Sequence, residues 1–358
     1  MANTNLAKAK NLKNDEFYTQ YQDIEREMNA YLEYNPNVFK GKVILCPCDD
    51  PEWSNFTKYF AQNFEKFKLK KLISTSFAVE SKGYKGGYTV TTFERKSPNF
   101  DKKKTRTKGK NFTLAKDKTG DNRIDINDLD YKYLEGNGDF RSDEVTKLRD
   151  EADIIITNPP FSLFREFLSW IMEANKKFIT IGSKNAITYK EIFSLIRNNK
   201  LWVGTTSFNK DMLFISPEKI DPSQKPETST RTVDGIVYLR SPSIWLTNLD
   251  HGRRHRELPL MTMNDNLKFN NKMNDKESYD KYDDYDAIEV SFTDSIPSDY
   301  KGVMGVPISF LDKYSPEQFE ILKCSAYSDK NYYGSGALYV EGKKQYARIL
   351  IKPKKNKK

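Results

Sequence analysis

Cysteine and histidine are scarce in this 358-residue chain, with three of the first and two of the second. Cys46 and Cys48 form a C-x-C and Cys324 stands alone, so no disulfide framework can be laid out and a reducing compartment is expected. His251 and His255 are the whole histidine supply, and no cysteine or carboxylate cluster adjoins them, so no bound metal is expected. No apolar run reaches the ~18 residues a membrane helix needs. The opening MANTNLAKAKNLKNDEF lacks the apolar core of a secretory signal, and a cytoplasmic protein is expected. No internal repeat is visible.

Aromatic side chains are plentiful instead, at 13% with 21 Tyr and 22 Phe. That load argues for a packed core despite a mean hydropathy of -0.76. Lys and Arg number 59 against 50 Asp and Glu, a net +9. A basic balance suits a polyanion such as nucleic acid. A coding bias toward Lys, Asn, Ile, Tyr and Phe produces the same surplus, so charge alone leaves both readings open.

Short apolar runs alternate with helical spacings. Tyr21, Ile24, Met28 and Tyr31 recur at near-helical intervals, and KVILC (42–46) reads as a strand buried on both faces. Ser54 can cap a helix carrying Phe56, Phe60 and Phe64. KLIST (71–75), DIIIT (153–157) and KFITI (177–181) are further strands. Ser162 opens a helix with Leu163, Phe167 and Ile171, and Thr188 with Glu191 reads as a capping box. Residues 201–204, 235–239 and 243–247 follow as strands. The pattern predicts an α/β fold of the Rossmann-like kind: a mostly parallel sheet, helices on both faces, and ligands beyond the carboxyl ends of the strands. Residues 81–130 interrupt it as a long insertion. After about residue 250 the chain turns polar and irregular, with a strand at 287–292, a helix start at Ser315-Pro316-Glu317-Gln318 and a strand at 346–352. The expected division is a domain over 1–250 and a smaller recognition region with a basic tail over 251–358.

Asn158-Pro159-Pro160-Phe161 sits directly after DIIIT. Two prolines remove two backbone donors and constrain the residue before each. The carbonyls there can serve as free acceptors facing the crevice. An exocyclic amine has two N–H donors, which the Asn158 amide oxygen and the Pro159 carbonyl could hold together, aiming the nitrogen lone pair at an electrophile. Phe161 offers a flat face to a base.

The ordered set KNDEFYTQ (13–20), VILCPCDDPEWSNF (43–56), GDFRSDE (138–144), IIITNPPF (154–161) and WLTNLDHGRRH (245–255) resembles the EcoRI-type adenine-specific DNA methyltransferases, over roughly residues 13–352. The order of segments is that of the gamma arrangement of amino-methyltransferases. The resemblance implies S-adenosyl-L-methionine as methyl donor and transfer to the N6 amine of a flipped adenine. It implies double-stranded DNA as partner and a monomer, and leaves room for a cognate restriction endonuclease sharing the site. By resemblance, Tyr18 and Thr19 touch the methionine end of the cofactor and Asp49 and Asp50 form the cofactor loop. Asp139 and Phe140 meet the cofactor adenine, and Asn158, Pro159, Pro160 and Phe161 are catalytic. The chain departs from the common methyltransferase pattern in having CPCDDPEWSNF where a Gly-rich loop is usual, and no clear acidic residue follows KLIST; Glu80 is the candidate ribose contact. Methyl transfer to another amine (cytosine N4, RNA adenine, protein glutamine) and an inactive DNA-binding relic are the competing readings.

Other features have two readings each. Pro47-Cys48 has the spelling of a cytosine-ring nucleophile, but follows the first strand, where a buried structural cysteine fits. His251, Arg253, Arg254, His255 and Arg256 form a candidate DNA-contact patch or a solvated basic turn. Asp117, Thr119, Asp121, Asp125 and Asp128 have calcium-loop spacing, but Asn122 replaces the usual glycine and the flanks read as strands, so a polar hairpin turn at Gly120-Asp121-Asn122 is the favoured reading. The basic run 102–110 can track phosphates or be ordinary solvated loop.

Overall fold

The computed structural model describes residues 18–50, 54–78, 95, 99–215, 229–273, 276–326 and 334–354. Glu80 and the glycines at 83, 86 and 87 lie outside them. The chain divides into two compact units, Met1–Ser183 with Lys210–Leu249, and Lys184–Asn209 with Asp250–Lys358.

The large sheet of the first unit is built on the apolar runs. In spatial order its strands are Asp130–Tyr133, Lys110–Leu114, Lys71–Ser76, Val43–Cys46, Ile154–Thr157, Lys177–Ser183 and Ser243–Thr247. The four from Lys71–Ser76 to Lys177–Ser183 are mutually parallel. The outer strands pair antiparallel. The sheet is therefore mixed, which corrects the expected mostly parallel one. The cause lies in the stretch expected as an insertion: KNFTL and DYKY extend the sheet as antiparallel edge strands.

Both faces of the parallel core are covered, so its central residues are apolar on both faces, and the polar ones at its carboxyl ends (Ser74, Thr75, Ser76, Thr157, Thr180) are buried too. Ile44, Cys46, Ile154 and Ile156 join an aromatic cluster with Phe56, Tyr59 and Phe60 of helix Asn55–Gln62. Alternation sends Leu45, Ile155 and Gly182 to the opposite face. There a Cβ on Gly182 would stand 2.8 Å from the Phe164 ring, so helix Phe164–Glu173 presses directly on the strand.

A second, antiparallel sheet orders Tyr18–Thr19, Met212–Ile215, Ile236–Ser241 and Thr230–Val233. Asp234 and Gly235 turn its hairpin with φ of 50° and 77°, the two positive values a two-residue turn of this hand needs.

In the second unit, Ile288–Glu289, Met304–Pro307, Arg348–Pro353 and Phe319–Cys324 form one sheet. Helix Lys190–Arg197 packs on Phe319–Cys324 through a face bearing Ile192, Phe193 and Ile196. Arg348 and Glu289 form a buried bidentate pair at 2.7–3.1 Å, joined by the Tyr282 hydroxyl. Two expected helix starts fail here. Thr188 donates to the Asn185 carbonyl, and Tyr189 is the N-cap, with no side-chain cap bond. Ser315-Pro316-Glu317-Gln318 makes a turn closed by the Gln318 N–H on the Ser315 carbonyl, and a strand follows it.

Candidate active site

The carboxyl ends of the parallel strands converge through buried hydroxyls. Strand Val43–Cys46 runs into a turn, and Asp49 in that turn is 4% exposed. Its backbone N–H donates to the Thr75 carbonyl at 2.8 Å, at the end of the neighbouring strand. One carboxylate oxygen accepts from Ser54 Oγ at 2.5 Å, and Ser54 in turn caps helix Asn55–Gln62 by accepting from the Phe56 N–H. The other oxygen faces Thr157 Oγ1, on the last residue before Asn158. The Thr157 hydroxyl also reaches the Pro47 carbonyl, and its single proton goes to one acceptor at a time. Thr180 Oγ1 donates to the Thr157 carbonyl at 3.1 Å from the next strand. Asp49 thus ties the loop after the first strand to the segment that carries Asn158.

Asn158 and Pro160 are half-buried and Pro159 is buried. Pro160 precedes a 3-10 turn, Phe161–Leu163, so the helix begins at Phe164 rather than at Ser162. Phe161 is half-buried and meets Phe214 edge-on, with centroids 6.4 Å apart. Phe214 pairs with Thr19 across the second sheet. The Thr19 carbonyl accepts from Asn55 Nδ2 at 2.8 Å, which returns the path to the residue after Ser54. These contacts link Thr19, Asp49 and the Asn-Pro-Pro-Phe segment, with Tyr18 and Asp50 next to them in sequence, near the carboxyl ends of the parallel strands.

Asp139 and Phe140 join the same edge. Gly138 has φ of 86°, and a Cβ there would collide with the Ser76 carbonyl, so the loop can lie against the end of strand Lys71–Ser76 only with glycine at this point. Asp139 is gripped by the Arg141 guanidinium at 2.7 and 2.9 Å. Burial raises its carboxyl pKa, but the bonds from Arg141 outweigh that and hold it below the ordinary value. Phe140 is 3% exposed and packs edge-on against Phe167 and Trp170. Its ring lies in the core.

Thr75 was not singled out by its sequence context. Its hydroxyl is buried at the end of the second parallel strand and has no hydrogen-bond partner; the Thr19 hydroxyl is in the same state. The available signal was a repeated one: KLIST, DIIIT and KFIT each close an apolar run on threonine. Two orphaned buried hydroxyls fit a polar ligand that supplies their partners.

The absence of a Gly-rich loop has a local explanation. Cys48 adopts φ of 73°, a left-handed conformation glycine takes readily. The thiol therefore sits at a glycine-type position of the turn. Replacing Cys48 with Gly is expected to leave activity in place and to raise or preserve the melting temperature, whereas Cys48→Val should cost about 1–2 kcal/mol. Thermal melts of the two variants, with activity assayed in parallel, check this. Burial pushes the neighbouring Cys46 thiol up, with the Asp49 charge adding to it, so Cys46 stays a protonated core residue.

The basic segment at 251–256 lies in the second unit and is largely turned inward. His251 is 2% exposed, and its Nε2 meets the Val203 carbonyl at 3.0 Å. Burial lowers its pKa and keeps it neutral. Arg254 stacks on Trp202 with its guanidinium carbon 3.6 Å from the ring centre and also bonds Asn199. Arg253 donates to the Thr205 carbonyl. His255 lies between Asp250 and Glu317, at 2.8 and 3.1 Å. His255 and Arg256 are the exposed members.

In the loop 117–128 the carboxylates of Asp117 and Asp128 accept backbone N–H groups, Gly120 and Asn122 on the first and Lys118, Thr119 and Asp125 on the second. Burial pushes Asp128 up, but these bonds outweigh it and hold the carboxyl at about 2. Among the described residues no group of three or more His, Cys, Asp or Glu is placed to hold a metal. No helix there is long and apolar enough to cross a membrane.

The fold is a mixed α/β one, with a cluster of buried polar side chains at the carboxyl ends of its parallel strands. Comparison with known proteins gives this class its family. The family described as "Adenine-specific methyltransferase EcoRI" matches residues 5–354, and the chain belongs to that family. It is 41% identical over 352 residues to Type II methyltransferase M.EcoRI of Escherichia coli, covering 98% of this chain and 96% of that protein. It is 33% identical to Type II methyltransferase M.MpnI of Mycoplasma pneumoniae, with 98% of each chain covered. It is 36% identical to Type II methyltransferase M.MgeORF184P of Mycoplasma genitalium, covering 96% of this chain and 97% of that one. No solved structure matches.

Proposed function

We propose that this protein transfers a methyl group from S-adenosyl-L-methionine to the N6 amine of adenine at one site in double-stranded DNA. The observation that carries the reading is the position of Asn158-Pro159-Pro160-Phe161. It follows a parallel strand directly and is linked through Thr157 and Asp49 to the loop after the neighbouring strand. In sheets of this kind ligands gather at that edge.

The residues of the crevice suit the methyl donor. Thr19 and Thr75 have buried hydroxyls in need of partners. Asp49 is 4% exposed, so the more accessible Asp50 is the carboxylate assigned to the methionine ammonium, and Tyr18 is assigned to the same end of the cofactor. Asp139 accepts from the cofactor adenine, and Phe140 supports the floor beneath it. When bound, the donor supplies an electrophilic methyl group.

The chain's own work is to hold the amine. Adenine leaves the duplex stack and lies against Phe161. The Asn158 amide oxygen and the Pro159 carbonyl accept its two N–H bonds. That turns the nitrogen lone pair out of conjugation and toward the methyl, and stabilises the positive charge that develops on nitrogen. No side chain placed as a base is needed, because the methylated nitrogen is a strong acid and loses its proton to water. The second unit, with His255 and Arg256 at its surface, is assigned to reading the target sequence in a monomer, and a restriction endonuclease sharing that sequence fits the arrangement. Base-resolution methylation mapping in cells expressing the protein tests the reading. Modified adenine confined to one sequence motif is expected, and unmodified DNA overturns it.

A further inference from the structure

The run Lys102-Lys103-Lys104-Thr105-Arg106 has a definite place on the sheet. Strand Lys110–Leu114 pairs antiparallel with Lys71–Ser76, with Lys110 opposite Ser76. Its amino end therefore lies at the carboxyl edge of the parallel strands, the edge that holds the crevice. The residues just before it are packed onto that edge. The Gly109 N–H donates to the Gly136 carbonyl at 3.0 Å, and a Cβ on Gly109 would lie 2.5 Å from the Gly138 Cα, next to Asp139.

The run is also held in shape. The Asp101 N–H donates to the Tyr133 hydroxyl at 3.1 Å, and Asn99 Nδ2 to the Tyr131 carbonyl at 2.7 Å. Asp101 Oδ1 accepts the N–H groups of Lys103 and Lys104, opening the short helix Lys104–Thr107. Thr105 is 1% exposed, while Lys102, Lys103, Lys104 and Arg106 are exposed. The carboxylate of this turn, Asp101, is taken up by backbone N–H groups. Lys103 and Lys104 lie close enough to Asp101 for their charges to help lower its carboxyl pKa, but among the described residues no carboxylate is within ion-pair contact of Lys102, Lys103 or Lys104.

We infer that Lys102, Lys103, Lys104 and Arg106 form a phosphate-gripping rim that holds the backbone of the substrate duplex against the crevice edge. The inference rests on the DNA-methylating reading above. A fixed row of ammonium groups suits a polyanion, because each phosphate neutralised releases condensed counterions. Such contacts position the duplex and carry no sequence information.

The test is K102Q/K103Q/K104Q in the full-length protein, all three sites being exposed. Binding to random-sequence duplex DNA is titrated over a range of salt concentrations. The slope of log K against log salt is expected to become shallower by about 2–3, at roughly 0.9 for each phosphate no longer neutralised. The turnover rate at saturating unmethylated genomic DNA should be unchanged. A variant with the wild-type slope overturns the rim. So does weaker binding with an unchanged slope, or a fall in turnover at saturation. A wild-type protein that neither binds nor methylates DNA defeats the underlying reading instead, so the two failures are distinguishable.

Discussion

Asn158→Ala is expected to lower the methylation rate about 10³-fold, the scale for removing one pre-placed polar group from a charge-developing site. Affinity for S-adenosylmethionine should stay at the wild-type level, because the cofactor residues assigned above lie on other strand ends. Only the side-chain acceptor is removed; the Pro159 carbonyl remains. The amine then keeps one of its two partners and its lone pair is no longer fixed in direction. Asn158→Asp keeps an acceptor in place and should retain more activity than the alanine variant. Single-turnover rates with the three proteins, beside calorimetric titration of the cofactor, read both effects. Full activity in Asn158→Ala would remove Asn158 from the chemistry.

Asp49→Ala is the second substitution with a large expected effect, and it acts through positioning. It strips the acceptor from Ser54 inside a buried site and frees Thr157 from one of its two acceptors. A buried donor left unmet costs about 1–3 kcal/mol, so a lower melting temperature is expected. The larger consequence is for rate. Thr157 immediately precedes Asn158, and a shift of ~1 Å at the reacting groups costs about 10²-fold. Asp49→Asn retains an oxygen and should recover much of the rate. If Asp49 bound the cofactor directly, both variants would weaken cofactor affinity far more than turnover. The positioning role predicts the reverse, a fall in kcat with a small change in KM for the methyl donor.

The parallel core was legible because each of its strands contains a short run of β-branched and apolar residues with no helical spacing, as burial on both faces requires. KNFTL and DYKY were legible only as the strand-like flanks of a polar hairpin turn. Short and mixing polar with aromatic residues, they carry no sign that they extend the main sheet. The Asn-Pro-Pro-Phe segment announced itself through two adjacent prolines. Its support did not, since the Asp49–Thr157 contact joins residues 108 apart in sequence. The basic segment near residue 251 misled by composition: Arg254 and His251 are buried by a tryptophan ring and a backbone carbonyl supplied by residues 202–203. That stretch belongs to the second unit although the chain returns to the first before residue 250. Likewise Ser-Pro-Glu-Gln has every local mark of a helix start, yet leads into a strand paired with the far carboxyl-terminal one.

The most direct test of the account follows the methyl group itself. Purified protein is incubated with unmethylated duplex DNA and S-adenosylmethionine carrying a labelled methyl, and the DNA is digested to nucleosides for mass spectrometry. The account predicts the label in N6-methyl-2'-deoxyadenosine alone. Label in N4-methylcytosine, or in the protein in place of the DNA, would contradict it.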